Sequence, residues 1–370
     1  MRDLFAIRRT AALIALAALC AHAAQGSAQE RVVNVYNWSD YIDPSVLEDF
    51  TRETGIKVRY DVFDSNDTLE TKLLAGKSGY DVVVPSADFL ERQIRAGVFL
   101  ALDKSELPNL VNMWPEIEQR VAIYDPGNRY AVNYMWGTVG IGYNVGKVRE
   151  ILGPEARVDS WDIVFKPENL AKFKNCGVYL LDSSNDILQT ALNYLGLDPN
   201  TTDTKELERA AALLTQVRPF VRKFHSSEYI NALAGGEICL VAGFSGDIKQ
   251  AQKRAAEAKN GVDVGYVIPR EGAQMFFDNI AIPKDAANVE AALAFMNYLQ
   301  RPEVAAKNTD FLSYANGNLA SQKYIKPAIL NDRSIYPDAA TMQRLYTARA
   351  RDAATQRTMN RLWTRIKTGR

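Results

Sequence analysis

Aromatic and acidic residues recur side by side along this chain. The runs are Trp38-Ser39-Asp40-Tyr41, Ser86-Ala87-Asp88-Phe89, Phe244-Ser245-Gly246-Asp247 and Phe276-Phe277-Asp278, with acids also at Asp182 and Asp186 and rings at Phe311 and Tyr314. Carboxylates brought out of water together call for positive charge, because unpaired buried charge is costly. Aromatic faces add roughly 0.5–2 kcal/mol per cation contact. An aliphatic di- or polyamine answers both demands: its ammonium ends pair with acids and its methylenes lie between rings. Taken singly, Asp43, Asp88, Asp186 and Asp247 read equally well as helix N-caps. A single Phe276 or Phe277 reads as core. The rings' recurrence beside the acids is what capping does not predict.

Each run falls where a strand gives way to a loop or helix. Val32–Tyr41 begins as a β-branched run suited to a buried strand and breaks off at Asn37-Trp38. Asp43-Pro44 then signals a helix start. Ile56 to Val62 alternates as a second strand, Asp81 to Pro85 is a short third one, and helices separate them. This β-α-β-α-β order implies α/β architecture with a mainly parallel sheet flanked by helices, whose ligands bind beyond the carboxyl ends of the strands. Tyr130 to Asn144 is extended for too long to be one ordinary strand, and can leave one lobe to enter another. The expected division is 29–135 plus 260–312 for lobe 1 and 136–259 plus 313–370 for lobe 2. A chain that crosses between lobes repeatedly makes a hinge with a central cleft. The Arg-rich end from Arg344, with Met342, Leu345 and Tyr346 on one face, reads as a solvated surface helix.

Composition narrows the function. Of 370 residues, 47% are apolar and 24% charged, ordinary values for a globular protein. Arg2, Arg8 and Arg9 precede an apolar run from Ala11 to Ala21 and small residues ending at Ala28. That is a secretory signal over residues 1–28, cleaved near Ala28, and it is too short to span a membrane. Leu19 before Cys20 argues against a lipid anchor. The remainder is exported and slightly acidic, so no nucleic-acid partner is expected. Cys176 and Cys239 then remain, an even pair that is either a disulfide or two buried thiols. His225 is the lone histidine beyond the signal, which excludes multi-histidine metal sites. There is no nucleophile elbow, Walker loop or dinucleotide fingerprint. No cofactor, metal or catalysis is expected. The rival readings are a secreted carboxylate-dependent hydrolase of similar shape and an amine-binding sensor component.

With these runs go TGIKV, YDVVVPSADFLERQ, DSWD, KPENL, LNYLG, KFHSSEYIN, FFDNIAIP and ANGN. Together they resemble the periplasmic putrescine/spermidine-binding proteins of ABC importers over essentially the whole exported chain. The resemblance implies a two-lobed type II periplasmic binding protein fold, a polyamine ligand, an ABC transporter permease as partner, a monomer and no catalysis. By position, the family's ligand contacts fall on Trp38, Ser39, Tyr41, Ser86, Phe89, Asp247, Phe276, Asp278 and Tyr314. Asp247 and Asp278 would hold ammonium groups, with Trp38, Phe276 and Tyr314 clamping the chain and Ser39 and Ser86 supplying acceptors. Asp40 would shape its loop or close the lobes. Three positions depart from a putrescine binder: Phe244 where Trp is usual, Asp186 where Glu is usual, and Asp88 where a small hydroxyl is common. Asp186 reaches about 1.5 Å less far than Glu. A roomier, more acidic pocket follows, preferring spermidine, cadaverine or agmatine to putrescine.

Overall fold

The computed structural model describes residues 30–369. The expected signal, its cleavage at Ala28 and Cys20 lie outside them. No helix among the described residues is long and apolar enough to cross a membrane.

Strand β1 (Val32–Trp38) is the buried β-branched run, and it pairs in parallel with β2 (Lys57–Phe63) and β3 (Val82–Val83). Helix α1 (Pro44–Thr54) follows β1 by the expected chemistry: the Asp43 carboxylate accepts from the Ser45 backbone N–H, and Pro44 needs no donor at its position. Gly55 ends it in the left-handed region, at φ 69°.

The two lobes share one strand. β4 runs from Ala131 to Asn144. Its first half, up to Thr138, is laddered antiparallel to β9 (Ala273–Ala281). Its second half, from Val139, is laddered to β7 (Leu240–Phe244) and, on the other side, to β8 (Val264–Val267). Beyond β7 come β5 (Val178–Leu180) and β6 (Lys223–Phe224), both parallel. The order is β2-β1-β3-β9-β4-β7-β5-β6. Parallel trios therefore form the outer parts, and the antiparallel pair β9–β4 runs between them. Separate apolar cores lie on the two sides, one around Val33, Phe50 and Phe295, the other around Ile141, Leu188 and Leu240.

The ladders correct the expected division at two places. β8, assigned to lobe 1, is hydrogen-bonded to the lobe 2 half of β4. The segment after residue 313, assigned to lobe 2, stays with lobe 1: β10 (Ala315–Asn316) pairs with β4 at Trp136 and Met135, and β11 (Leu345–Thr347) pairs with β9. Leu345 and Tyr346 thus lie in a strand, where a surface helix was expected. Only the last helix, Ala353–Thr368, returns to lobe 2. It is not a solvated element. Met359, Leu362, Trp363 and Ile366 recur at helical spacing and are buried in the lobe 2 core, while Arg357, Arg361 and Arg365 face solvent. Cys176 and Cys239 are joined as a disulfide within that lobe, which resolves the two readings of the pair.

Trp363 packs edge-on against Phe224 at 5.2 Å, and its Nε1 donates to Asp182 at 3.0 Å. Trp363→Ala should cost about 3 kcal/mol of unfolding free energy in urea denaturation. A loss within about 0.5 kcal/mol, the range of surface substitutions, would return this helix to the surface.

Candidate functional site

The runs after β1, β3, β5 and β7 converge at strand ends as expected, whereas Phe276 and Asp278 lie within β9 and Tyr314 follows the helix Pro302–Leu312. A cleft of about 870 Å³, counted to its open mouth, lies between the lobes. It is lined by Trp38, Ser39, Tyr41, Ser86, Asp88, Phe89, Asp186, Phe244, Asp247, Phe276, Asp278 and Tyr314, with no lysine or arginine on its wall. Twelve of the thirteen residues singled out from the sequence thus share one cavity.

Asp40 is the exception and does not line the cavity. The residue turns through the left-handed region at φ 54°, which carries its side chain away from the cleft. Its carboxylate accepts from Arg254 at 2.8 Å, and its carbonyl accepts from Gln250 at 3.4 Å. Both partners stand on the lobe 2 helix Ser245–Ala258. Asp40 ties the lobes together and does not face the slot.

Two buried carboxylates organise the cavity. Asp278, on β9, accepts the Tyr41 hydroxyl on one oxygen at 2.7 Å and the Ser86 hydroxyl on the other at 2.6 Å. Asp247 accepts the Tyr229 and Tyr314 hydroxyls, one on each oxygen, both at 2.7 Å. Neither carboxylate has a basic partner in hydrogen-bonding contact. Burial pushes the Asp278 carboxyl up to about 7, against the pull of its two hydroxyls; Asp88 and Asp186 add to the rise. Burial likewise raises Asp247 to about 6, again opposed by its hydroxyl partners. Asp186 is raised to about 6 and Asp88 is raised, both mainly by burial.

The acids sit in first turns, not at caps. Helix Ala87–Arg95 starts from Ser86, helix Ser184–Tyr194 from Ser183 and helix Ser245–Ala258 from Phe244. Asp88, Asp186 and Asp247 come two or three residues later, inside the first turn, where the Asp88 carboxylate draws on the N–H groups of its own residue and Phe89. The Ser183 hydroxyl does the capping at Asp186, accepting from its N–H. Helix N-termini favour the ionised acids there.

The rings form the remaining wall. Trp38 is held by its Nε1 bond to the Val84 carbonyl at 2.9 Å and leans on Phe63 at 4.6 Å. Phe276 packs between Phe244 at 5.3 Å and Tyr314 at 6.1 Å. Tyr41 meets Tyr314 edge-on at 5.1 Å. Gly246 is required beside Tyr314, because a Cβ there would overlap the ring. One face of Phe89 is covered by the Arg92 guanidinium at 3.9 Å. Such a cavity suits an elongated guest that is apolar along its length and positive at its ends.

Sequence reasoning missed several contributors. Tyr229, read only as a helix residue, is the second hydroxyl on Asp247. Phe63 and Asn66 line the cleft because β2 runs in register with β1, Trp38 opposite Phe63. Gln274 stands two and four residues before Phe276 and Asp278 on the same face of β9, a spacing that was there to be read. Asn185 precedes Asp186 and crosses the cleft to Asp88.

The chain is 55% identical over 362 residues to a putrescine-binding periplasmic protein of Pseudomonas aeruginosa, covering 98% of each. It is 51% identical over 345 residues to a putrescine-binding periplasmic protein of Escherichia coli, covering 93% of each. Among solved structures, the spermidine/putrescine ABC transporter substrate-binding protein of Streptococcus pneumoniae superposes with a TM-score of 0.75 at 30% identity, covering 92% of this chain and 99% of that one. The family model described as bacterial extracellular solute-binding protein matches residues 45–333. The chain therefore belongs to the bacterial extracellular solute-binding proteins, a family that binds its solutes without transforming them.

Proposed function

We propose that this protein captures an aliphatic polyamine of the putrescine/spermidine kind in the interlobe cleft, in the periplasm, and delivers it as a monomer to the permease of an ABC importer. The observation that carries this reading is the pair Asp247 and Asp278: two buried carboxylates, each with both oxygens held by hydroxyls, in an aromatic slot with no basic lining residue. Hydroxyl donors orient a carboxylate without neutralising it, so the missing positive charge has to come from the guest. In this reading Asp247 and Asp278 take two ammonium groups. Trp38, Phe276 and Tyr314 pack along the methylenes, and the oxygens of Ser39 and Ser86 accept further N–H bonds. The names of the relatives at 55% and 51% identity support the same class of ligand. Export through the signal at residues 1–28, with cleavage near Ala28, puts the cleft where such a ligand arrives.

Asp278→Asn, read by calorimetry against putrescine and spermidine, should weaken binding by more than about 2 kcal/mol, roughly 30-fold, since it leaves a desolvated ammonium unpaired. Asp247→Asn should do the same. Unchanged affinity would remove that residue from the site. A thermal-shift panel of amines, amino acids and sugars tests the class, because a bound guest raises Tm by mass action. A rise with sugars or amino acids and none with amines would sink the reading.

The raised carboxyls add a pH dependence. Asp278, facing Tyr41, Ser86, Asp88 and Asp186, has its folded-state value lifted above the unfolded one, as do Asp247 and Asp186. Without guest, the folded protein holds protons that the unfolded chain has lost, so these groups' share of stability falls as pH climbs from about 4 to about 7. A cationic guest pairs with the ionised acids and displaces those protons. The Tm rise on adding saturating spermidine should therefore be larger at pH 8 than at pH 5. Equal rises at both would show that these acids do not meet the guest.

A further inference from the structure

A guest whose two charges pair with Asp247 and Asp278 leaves Asp88 and Asp186 without a positive partner in the cleft. Asp88 and Asp186 both group with Asp278: each raises its proton affinity, and Asp88 raises that of Asp186. The nearby arginines are already engaged. Arg92 clamps Glu70 through two hydrogen bonds, and Arg254 holds Asp40. The same wall carries two neutral amides. Asn185, 7% exposed, donates from Nδ2 to Asp88 at 3.1 Å across the lobes. Its Oδ1 is buried and receives no donor. Gln274, 3% exposed, has its side chain beside Asp186, and its Oε1 is also buried without a donor. A buried acceptor left unpaired costs about 1–3 kcal/mol. Two of them beside two carboxylates is an arrangement that an N–H-bearing cation would repair.

We infer that Asp88, Asn185, Asp186 and Gln274 form a third cation subsite, and that it takes the additional ammonium of a triamine. The inference rests on the polyamine reading and deepens it. An ammonium offers three N–H donors, enough for the two amide oxygens and one carboxylate. Charge selects a triamine over other long guests. Seven aspartates line the cleft, Asp88, Asp186, Asp247 and Asp278 among them, with no lining cation. Putrescine, cadaverine and the guanidino-amine agmatine each bring two charges, and spermidine brings three. Asp88 belongs to lobe 1 and the 184–194 helix to lobe 2, so a cation here is gripped from both sides.

The test is calorimetry of the full exported chain with putrescine, agmatine and spermidine, on the wild type, Asp88→Ser and Gln274→Leu. The wild type should bind spermidine at least tenfold tighter than putrescine. Each variant should lower the spermidine-to-putrescine affinity ratio at least tenfold, and melting curves identify a variant that has lost its fold, in which case the other decides. If both variants weaken all three amines alike, Asp88 and Gln274 act only on closure or packing, and the subsite is overturned while the polyamine reading stands. If the agmatine-to-putrescine ratio falls and the spermidine ratio does not, the subsite reads a guanidinium and the triamine assignment is overturned. If no amine binds the wild type, the polyamine reading itself fails.

Discussion

The constraint on which the rest depends is the burial of acids without a resident cation. Taking a carboxylate out of water costs several kcal/mol even after relaxation. A protein normally answers with a lysine or arginine in contact. Here Asp247 and Asp278 are 8% and 4% exposed and are answered by tyrosine and serine hydroxyls instead. Hydroxyls fix where each oxygen points and leave the charge in place. The geometry of the site is thus prepared in advance, and its neutralisation is left to whatever enters. This is preorganisation in its plain form: the donors are set before the guest arrives, so little ordering remains to be done on binding.

The fold supplies the two halves of that arrangement from opposite lobes. Asp278 stands on β9, laddered to the first half of β4, and Asp247 opens a helix that follows β7, laddered to the second half. A single strand therefore sets the separation of the two acids. Tyr314 reaches Asp247 from a segment whose next strand, β10, pairs in lobe 1. Tyr41 touches Tyr314 and bonds to Asp278. The hydroxyls consequently bridge the lobes as well as hold the acids, and the slot exists only when both lobes face each other.

How far the sequence revealed this follows from the range of each signal. The parallel strands and the Asp43-Pro44 helix start are local patterns, and they were legible. So was the meeting of Trp38, Phe244 and Asp247, because parallel topology gathers strand ends on one side; Phe276 and Asp278 join them from within antiparallel β9. Pairing partners are not local. Nothing in Val264–Val267 says which lobe it joins, and Leu345–Thr347 has too few residues to show a strand period against the helical pattern around it. The stripe Met359, Leu362, Trp363 and Ile366 was readable as an amphipathic helix, but the arginines between drew attention to its solvent face. Asp40 sits among true lining residues, and only a backbone turn at φ 54° removes it. Tyr229 and Asn185 reveal their role through a partner, Asp247 or Asp88, that lies on another element.

The ion pairs between the lobes are too weak to hold the cleft shut by themselves. Arg254–Asp40 has 33% and 47% of its side chains exposed, and such pairs contribute about 0–1 kcal/mol. Lys249–Asp332 is better shielded at 14% and 28% but remains a single monodentate contact. Asn185–Asp88 is a neutral amide on an acid. Against these stands the repulsion among Asp88, Asp186 and Asp278, which grows as they ionise and which closure intensifies by excluding water. An empty cleft near neutral pH is thus drawn together by a few surface contacts and the buried Tyr314–Asp247 bonds, and pushed apart by its own charge. A cation on the acids removes the repulsion and converts it to attraction across the same gap. Closure driven this way depends on the guest's charge first and its shape second, so a neutral molecule of similar length would fit the slot and fail to shut it.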